Sequence, residues 1–361
     1  MTQARPFQFL ALLLFTGFLS ALGAGNTTAA DAPDTHFPES PSSEALPTPV
    51  EYRDVQWAQA GNKTLTTDIF VPNTGRKRYP VVVIFHGGGW LINDNRIMDA
   101  TARYLARHGE FVVANMNYRL LGDNQNTTTM DDIVGDVLGG VLWVKEHISA
   151  YRGNPGQIAV TGDSAGGHLS AMVVLAANNL SGEAFSAENL AFRPTYIPAG
   201  KTPEQIADNG ELQVQAAVFS YGAFDLYRAA QAGFESPGNI FWKLGNSEPR
   251  GIMGKAVTVD SAPELYKAVS PVYLIPDARD RKLPPIFAHV GSKDTTTPPS
   301  AVKTFVDKLV AAGQPVRFKE YPGKNHAFLD TGCNEFLGNC FDKDAPETLD
   351  DMIEFLQAHL E

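Results

Sequence analysis

The chain has 361 residues, of which 43% are hydrophobic and 19% charged, and its formal net charge is −11. A chain of this length can bury a sizeable core, and its composition is that of a soluble globular protein with one large domain. The acidic charge argues against a nucleic-acid partner, which would need a basic surface, and it gives no indication of binding to an anionic membrane.

The N-terminal segment predicts a secretory signal peptide over residues 1–24. Arg5 is its only charge, and an apolar run over 7–23 is followed by small residues suited to cleavage. A retained anchor is the alternative, because a run of about 17 apolar residues is near the lower limit for crossing a bilayer. Cleavage would make the protein secreted or periplasmic, with no membrane contact afterwards.

Residues 25–49 are predicted to be a linker, because proline, serine and acidic residues dominate there without any period. The folded domain is therefore expected to span residues 50–361. Within that range, short β-branched runs alternate with amphipathic runs, and the segment 64–72 alternates like an antiparallel strand. Buried strands are predicted at 79–89, 110–119, 157–164, 214–222, 285–294 and 316–322, and helices at 100–109, 131–151, 165–179, 300–313 and 345–360.

Buried strands separated by helices predict an α/β fold with a mainly parallel sheet and helices on both faces. Two stretches, 180–213 and 227–270, interrupt the alternation. Loops of that length are uncommon unless they are functional, so both are predicted to be lid-like insertions near a site. Three aromatic residues of the second insertion are expected to roof a pocket, with burial in the core as the alternative: Phe234, Phe241 and Trp242.

A glycine-rich sequence, GDSAGG at 162–167, lies where a predicted strand turns into a predicted helix. Glycines two residues before and after Ser164 allow a sharp turn that would hold this serine in a strained conformation and expose its hydroxyl. The helix from Ala165 would direct its N–H groups and the positive end of its dipole at an anion formed there. The pattern therefore predicts a nucleophile, with a phosphate-binding turn as the alternative.

A second glycine-rich sequence, HGGGW at 86–90, closes the strand predicted at 79–89. Acyl transfer needs N–H donors for the oxygen of a tetrahedral intermediate, each worth about 3–4 kcal/mol. Gly88 and Gly89, with the N–H of Ala165, are the predicted donors. His86 is expected to be structural, and Trp90 is expected to form one wall of the pocket.

A serine nucleophile requires a base that is oriented by an acid. Of the eight histidines, His326 stands out because it lies in a loop after the last predicted strand, where open parallel sheets carry catalytic residues. Asp294, at the end of the preceding predicted strand, is the predicted acid. Three other carboxylates compete for this role: Asp277, Asp280 and Asp330.

These motifs together resemble the α/β-hydrolase serine esterases, both the hormone-sensitive-lipase-like group and its bacterial feruloyl- and acetyl-xylan-esterase-type relatives. The order Ser164, Asp294, His326 is the one this fold has. Instead of the Leu-Ala-Pro-Glu run of the lipase-like group the chain reads YRLLGDN, and it lacks N-terminal cap helices, which favours the branch that acts on plant or algal esters. The motifs carrying the resemblance are HGGGW, NYRL, GDSAGGHLSA, GSKD and KNHAF.

The resemblance implies a secreted serine carboxylesterase that hydrolyses short-chain or aromatic-acid esters through an acyl-enzyme, without a cofactor. Its expected partner is a small-molecule or polysaccharide-linked ester, and the oligomeric state is left open. A serine peptidase of the same fold and a non-catalytic binding protein of the same fold are the alternatives.

Cysteine usage is sparse. Cys333 and Cys340 could close a short loop as a disulfide in an exported protein, worth roughly 2–3 kcal/mol, or could remain free thiols. No second Cys or His pair stands at zinc-binding spacing, so no metal site is expected.

Overall fold

Eight strands form the main sheet in the computed structural model, which describes residues 46–360. The signal peptide predicted at 1–24 and the first part of the predicted linker, 25–45, lie outside the described residues. The strands are β1 (Val50–Ala60), β2 (Lys63–Val71), β3 (Tyr79–Phe85), β4 (Val112–Met116), β5 (Gly153–Asp163), β6 (Ala216–Ser220), β7 (Ile286–Gly291) and β8 (Val316–Tyr321).

The order of strands across the sheet is β1-β2-β4-β3-β5-β6-β7-β8. β2 pairs antiparallel with β1 and β4, and the remaining six strands, β3 to β8, run parallel to one another. β3, β4, β6 and β7 are buried along their whole length, as expected for parallel strands covered by other elements. The predicted mainly parallel α/β-hydrolase sheet is thus confirmed.

Helices connect most of the strands. Within residues 46–360, no helix combines the length and apolarity that a membrane crossing requires. The helices are α1 (Asp99–His108), α2 (Asp123–Asn126), α3 (Met130–His147), α4 (Ala165–Ala176), α5 (Pro203–Asp208), α6 (Leu226–Gln231), α7 (Ile240–Leu244), α8 (Pro263–Ala268), α9 (Pro299–Ala311), α10 (Phe341–Asp344) and α11 (Pro346–Leu360), with 3-10 turns at Asn95–Met98, Ile148–Tyr151 and Pro271–Tyr273. A small hairpin, β9 (Cys333–Asn334) with β10 (Asn339–Cys340), lies between β8 and α10.

The strand β1 is not predicted by the sequence patterns. It is an edge strand whose first seven residues alternate between exposed and half-buried, with Trp57 and Ala60 buried near its end, so it lacks the apolar run of the central strands. A charged residue, Arg53, fixes it to the fold: its guanidinium contacts the buried Asp68 at 2.7 Å and Asp99 at 2.9 Å. Because β1 is attached to the sheet partly by ion pairs, its sequence lacks the hydrophobic pattern by which a strand is recognised.

The register of the parallel strands places several loops at one edge of the sheet. Phe85 at the end of β3 is paired with Gly162 near the end of β5, and Asp163 is paired with Ser220 at the end of β6. Gly291 at the end of β7 is likewise paired with Tyr321 at the end of β8. Loops leaving the carboxyl ends of parallel strands are where ligands bind in open α/β sheets.

Candidate active site

Ser164 forms the junction between β5 and α4, with φ 52° and ψ −113°. A positive φ is unfavourable for a residue with a Cβ, and such strain is typical of functional turns. The turn needs Gly162 and Gly166, because a Cβ at either position would collide with the carbonyl oxygen of Phe85. The sequence around Ser164 therefore supports a strained backbone that presents the serine hydroxyl.

Three side chains from three different loops meet at this turn. Nε2 of His326 lies 2.9 Å from Oγ of Ser164, and Nδ1 of His326 lies 2.7 Å from Oδ2 of Asp294. All three residues are buried, at 7%, 6% and 3% exposure for Ser164, His326 and Asp294. With Nδ1–H donating to the carboxylate, Nε2 is free to accept the serine proton, which is the arrangement that nucleophilic acyl transfer requires.

Asp294 is itself held in place by the segment that follows it. The backbone N–H groups of Thr296 and Thr297 each donate to its Oδ1 at 2.9 Å. The Thr297 hydroxyl donates to the carbonyl of Tyr221 at 2.8 Å and lies 3.3 Å from Nδ1 of His326. Sequence reasoning missed Thr297, although the run of three threonines after Asp294 is a signal for it.

The competing carboxylates lie elsewhere. Asp277 pairs with Arg279 at 2.6 Å on the surface, and Asp280 is exposed. Asp330 lies beside the carboxyl group of Asp163 and not against the histidine ring. Among the described carboxylates, Asp294 is the one that contacts Nδ1 of His326.

The glycine-rich turn after β3 has three consecutive residues with positive φ: Gly88 at 123°, Gly89 at 58° and Trp90 at 60°. The backbone N–H groups of Leu91 and Ile92 both donate to the carbonyl of Gly88 at 3.1 Å, which closes the turn. Gly88 lines the same cleft as Ser164. Ala165 is the first residue of α4, where N–H groups have no partner within the helix.

A cleft of about 500 Å³ opens above Ser164 and His326. Most of its walls are apolar and come from three places: the segment after β3, helix α7, and the β9–β10 hairpin. Its lining consists of Gly88, Ile92, Asn93, Ile97, Asp163, Ser164, Ile240, Phe241, Leu244, Thr296, His326, Ala327, Asp330, Asn334, Phe336 and Leu337.

The prediction that Trp90 walls the pocket does not agree with the structure. Its indole is buried, lies edge-to-face against Phe234, and donates its Nε1–H to Nδ1 of His168 at 3.2 Å. Trp242 is also buried and donates to the carbonyl of Phe234. Of the three aromatics expected as a roof, Phe241 alone lines the cleft, because the indole N–H of Trp242 finds a buried partner and Phe234 packs against Trp90 and Trp242.

The two insertions behave differently. The insertion 227–270 supplies α7 to the cleft, whereas no residue of 180–213 lines it. Instead, Thr195 donates to the buried Asp136 of α3, which also binds Arg119 at 2.7 Å. The insertion 180–213 therefore supplies no wall of the cleft, and its polar contacts fix it to α3.

The β9–β10 hairpin is closed by a disulfide between Cys333 and Cys340, the pairing that the sequence allowed. It contacts the loop that carries His326 in two places. The side-chain amide of Asn339 donates to the carbonyl of His326, and that of Asn325 donates to the carbonyl of Leu337 at 2.9 Å. The hairpin thus supports the position of the histidine, a role that the sequence did not predict.

Three other histidines near the sheet are buried and neutral. Burial lowers the pKa of His86 to about 4, that of His168 to about 4 and that of His289 to about 3. His86 donates from Nδ1 to the carbonyl of Gly87 at 2.7 Å and stacks on Tyr118. Across residues 46–360, no group of three or more His, Cys, Asp or Glu side chains is arranged to hold a metal ion.

Comparison with known families agrees with this geometry. The model of the BD-FAE family matches residues 67–309, about two thirds of the chain. The chain belongs to the BD-FAE family. The BD-FAE match includes Ser164 and Asp294 and ends before His326. The resemblance to α/β-hydrolase serine esterases of the hormone-sensitive-lipase-like type is thereby confirmed.

Curated relatives of this BD-FAE member include a probable carboxylic ester hydrolase, LipM, of Mycobacterium tuberculosis, which is 31% identical over 69% of the chain and 49% of LipM. A probable isoprenylcysteine alpha-carbonyl methylesterase, ICMEL2, of Arabidopsis thaliana is 27% identical over 73% of the chain and 54% of that protein. The chain spans about half the length of the curated relatives it matches.

Among solved structures, esterase 2 of Thermogutta terrifontis phosphonylated by sarin superposes with a TM-score of 0.61 at 21% identity, covering 87% of this chain and 95% of that one. Its propionate-bound form gives a TM-score of 0.58 at 21% identity, covering 88% and 96%. At 21% identity this comparison shows that the present chain and esterase 2 share the same fold.

Proposed function

We propose that this BD-FAE member is a serine carboxylesterase that works through an acyl-enzyme on Ser164. The observation that carries the proposal is the continuous contact from Asp294 through His326 to Ser164, at 2.7 Å and 2.9 Å, beside a cleft. Curated relatives named as carboxylic ester hydrolases and esterases support the same chemistry.

In the first half-reaction, Oγ of Ser164 attacks the ester carbonyl carbon while Nε2 of His326 takes the hydroxyl proton. Asp294 stabilises the imidazolium, and N–H groups of Gly88, Gly89 and Ala165 stabilise the tetrahedral oxyanion by about 3–4 kcal/mol each. The imidazolium then donates its proton to the departing alcohol oxygen, so that the carbon–oxygen bond breaks and the acyl group stays on Ser164.

In the second half-reaction, a water molecule takes the place of the alcohol. His326 removes one proton from the water as its oxygen attacks the acyl carbon, and it returns that proton to Oγ of Ser164 as the acyl–enzyme bond breaks. The acid product leaves and the enzyme is restored, with no cofactor required.

The proposed substrates are short-chain or aromatic-acid esters of the acetyl or feruloyl type. The apolar side chains of Ile240, Phe241 and Leu244 on α7 suit a small or planar acyl group. Asn93 and Asn334, also in the lining, can hydrogen-bond the hydroxyls of an alcohol such as a sugar. These polar groups and the family resemblance support an ester attached to polysaccharide.

We further propose that the protein is exported. The apolar segment over 7–23 supports a signal peptide, and the disulfide of the hairpin supports an oxidising compartment. N-terminal sequencing of protein recovered outside the cytoplasm would show a mature chain that begins after residue 24. Recovery of the intact N-terminus on that protein would contradict cleavage.

The activity is tested with p-nitrophenyl esters and peptide p-nitroanilides side by side. We expect turnover of the acetyl and butyryl esters, hydrolysis of methyl ferulate, and no release of p-nitroaniline. A fluorophosphonate probe should label Ser164, as located by peptide mass spectrometry, and should leave Ser164→Ala unlabelled. Anilide hydrolysis would favour a peptidase, and probe labelling elsewhere would contradict the proposed nucleophile.

A further inference from the structure

Two acidic side chains beside the site have no part in the proposed acyl transfer. Asp163 ends β5 and directly precedes Ser164, and Asp330 lies four residues after His326. Both line the cleft. Asp163 is 1% exposed, so its carboxyl group is removed from water, and a buried acid without a cation requires an explanation.

The carboxyl group of Asp163 lies against the glycine-rich turn after β3. The backbone N–H of Gly87 favours its ionised form and so lowers its pKa, and a Cβ at position 87 would collide with its Oδ2. The first glycine of the sequence HGGGW is thus needed because the Asp163 side chain occupies that space. Asp163 therefore connects the nucleophile turn to the turn that carries Gly88 and Gly89.

Asp330 reaches the same place from the loop of the histidine. Ala327 has a φ of 62°, and the backbone N–H of Asp330 donates to the carbonyl of Ala327 at 3.2 Å, which closes a turn. The neighbouring Leu329 donates its N–H to the hydroxyl of Tyr221 at 3.3 Å. This turn brings the Asp330 carboxyl group within hydrogen-bonding reach of Asp163.

Each carboxyl group has one buried oxygen without a hydrogen-bond partner among the described residues, Oδ1 of Asp163 and Oδ1 of Asp330. Two ionised carboxylates can only accept hydrogen bonds, so they would repel each other and leave both oxygens unpaired. A single proton held between them turns one carboxyl group into a hydrogen-bond donor, so that each of the two oxygens gains a partner. Burial raises the pKa of Asp163 to about 6, and burial next to Asp163 raises the pKa of Asp330 well above its usual range, which agrees with a retained proton.

We propose that Asp163 and Asp330 share one proton and form a positioning pair for the reaction. The hydrogen bond between them joins the nucleophile turn to the loop of His326. The one negative charge that remains attracts the imidazolium formed when His326 takes the proton of Ser164. Asp294 and the pair then stabilise the same cation from two carboxyl sites.

The other titratable groups that face the pair do not alter this assignment. Tyr118 and Tyr221 are buried, and burial together with the nearby carboxylates raises the pKa of each phenol well above its usual range, so both stay neutral. His326 is the cationic partner, and its charge acts directly on Asp163. Asp294 is hydrogen-bonded to Nδ1 of His326, so its negative charge acts on the imidazole ring from another side.

The inference rests on the proposed esterase function and is tested by the pH dependence of kcat/KM. Asp330→Asn keeps the negative charge on Asp163, because its amide can donate to the carboxylate, so the acid limb should stay at the wild-type pH. Asp163→Asn combined with Asp330→Asn removes the charge, so the imidazolium is less favoured and the acid limb should move about one pH unit lower. With that weaker base, kcat should fall about tenfold while KM changes little.

Asp277→Asn, a surface carboxylate paired with Arg279, is the matched control and should behave as wild type. An infrared difference spectrum at pH 7, wild type minus Asp330→Asn, should contain the carbonyl band of a protonated carboxylic acid. Absence of that band overturns the shared proton, and this reading stands even if the double variant fails to fold. The charge effect is overturned if the folded double variant keeps the acid limb of kcat/KM at the wild-type pH. It is also overturned if Asp330→Asn alone moves the acid limb as far as the double variant does. Undiminished activity of Ser164→Ala would instead refute the proposed function.

Discussion

The side-chain amide of Asn339 donates a hydrogen bond to the carbonyl oxygen of His326. Asn339 belongs to the hairpin that the Cys333–Cys340 disulfide closes. The side chain of Asn339 therefore connects the disulfide-closed hairpin directly to the proposed base. The position of His326 therefore depends on an element outside the sheet.

Opening the disulfide should weaken both the fold and the rate. Replacing Cys333 and Cys340 with serine is expected to lower the free energy of unfolding by roughly 2 kcal/mol, because the unfolded chain loses a loop constraint. We also expect a lower kcat with little change in KM, since Asn339 would hold His326 less firmly. Urea unfolding and ester kinetics with and without reductant measure both effects. The double-serine variant is the control for the reductant, which should change the stability and rate of the wild type and leave those of the variant unaffected.

Replacement of the proposed nucleophile should remove activity without unfolding the protein. For Ser164→Ala we expect kcat to fall by about 10⁴-fold or more, since triad members act as a unit. Thermal unfolding should remain cooperative, because alanine can occupy the same turn. A loss of only tenfold would show that another residue attacks the ester.

The acid can be distinguished from its competitors by isosteric amides. Asp294→Asn should lower kcat by about 10³- to 10⁴-fold with little change in KM, because the amide stabilises the wrong tautomer of His326 and no longer balances the imidazolium. Asp277→Asn and Asp280→Asn are the controls and should keep nearly full activity, since both lie outside the cleft. The assignment fails if Asp294→Asn retains more than a tenth of the wild-type rate.

Stability should depend on pH through the buried histidines. Burial lowers the pKa of His168 to about 4, so between about pH 6.5 and 4 the unfolded chain binds a proton that the native chain does not, and stability falls as the pH falls. A glutamine at this position can still donate to Val269 and accept from Trp90. Relative to His168→Gln, the wild type should lose about 3 kcal/mol more between pH 7 and pH 4.

Urea unfolding at a series of pH values gives the two curves for this comparison. His359→Gln, an exposed residue near the end of α11, is the control and should keep the wild-type slope. Parallel curves for wild type and His168→Gln would contradict the assignment of a neutral buried ring.

Acyl-chain length should limit the rate. The cleft holds about 500 Å³, and Phe241 fills the space next to Gly89, so acetyl and butyryl esters should be hydrolysed faster than esters with chains of about ten carbons or more. Phe241→Ala should shift the preference towards longer chains, whereas Val310→Ala, an exposed residue of α9, should leave it unchanged. Rates of a p-nitrophenyl ester series measure the preference, and wild-type activity that rises steadily with chain length would contradict it.

The central architecture could be predicted because it depends on short-range patterns. Fully buried parallel strands are continuous apolar runs, and the turn at Ser164 requires glycines at fixed offsets, so both leave a clear signal in the sequence. The structure also brings His326 into contact with Ser164, and Asp294 into contact with His326, and both were predicted from their places after strands.

Features that depend on long-range contacts left no such signal. The sequence does not specify that the indole of Trp90 turns inward to His168, because this hydrogen-bond partner lies 78 residues away in the chain. The same holds for Thr195, which fixes the insertion 180–213 to Asp136. The contact between Asp163 and Asp330 likewise has no local signal, because the two residues are 167 positions apart in the chain.

Two walls of the cleft, α7 and the β9–β10 hairpin, stand on segments separate from those that carry Ser164, Asp294 and His326. Ile240 and Leu244 on α7 are each 60% exposed, and Phe336 at the hairpin tip is 95% exposed, so few core contacts depend on them. Substitutions at such positions cost little stability, whereas a side chain at Gly87 or Gly166 would collide with the backbone or with Asp163. Descendants of this protein can therefore acquire new ester preferences by single changes at α7 and the hairpin, while the glycine-rich turns stay fixed, and a library built for directed evolution should be randomised at those same positions.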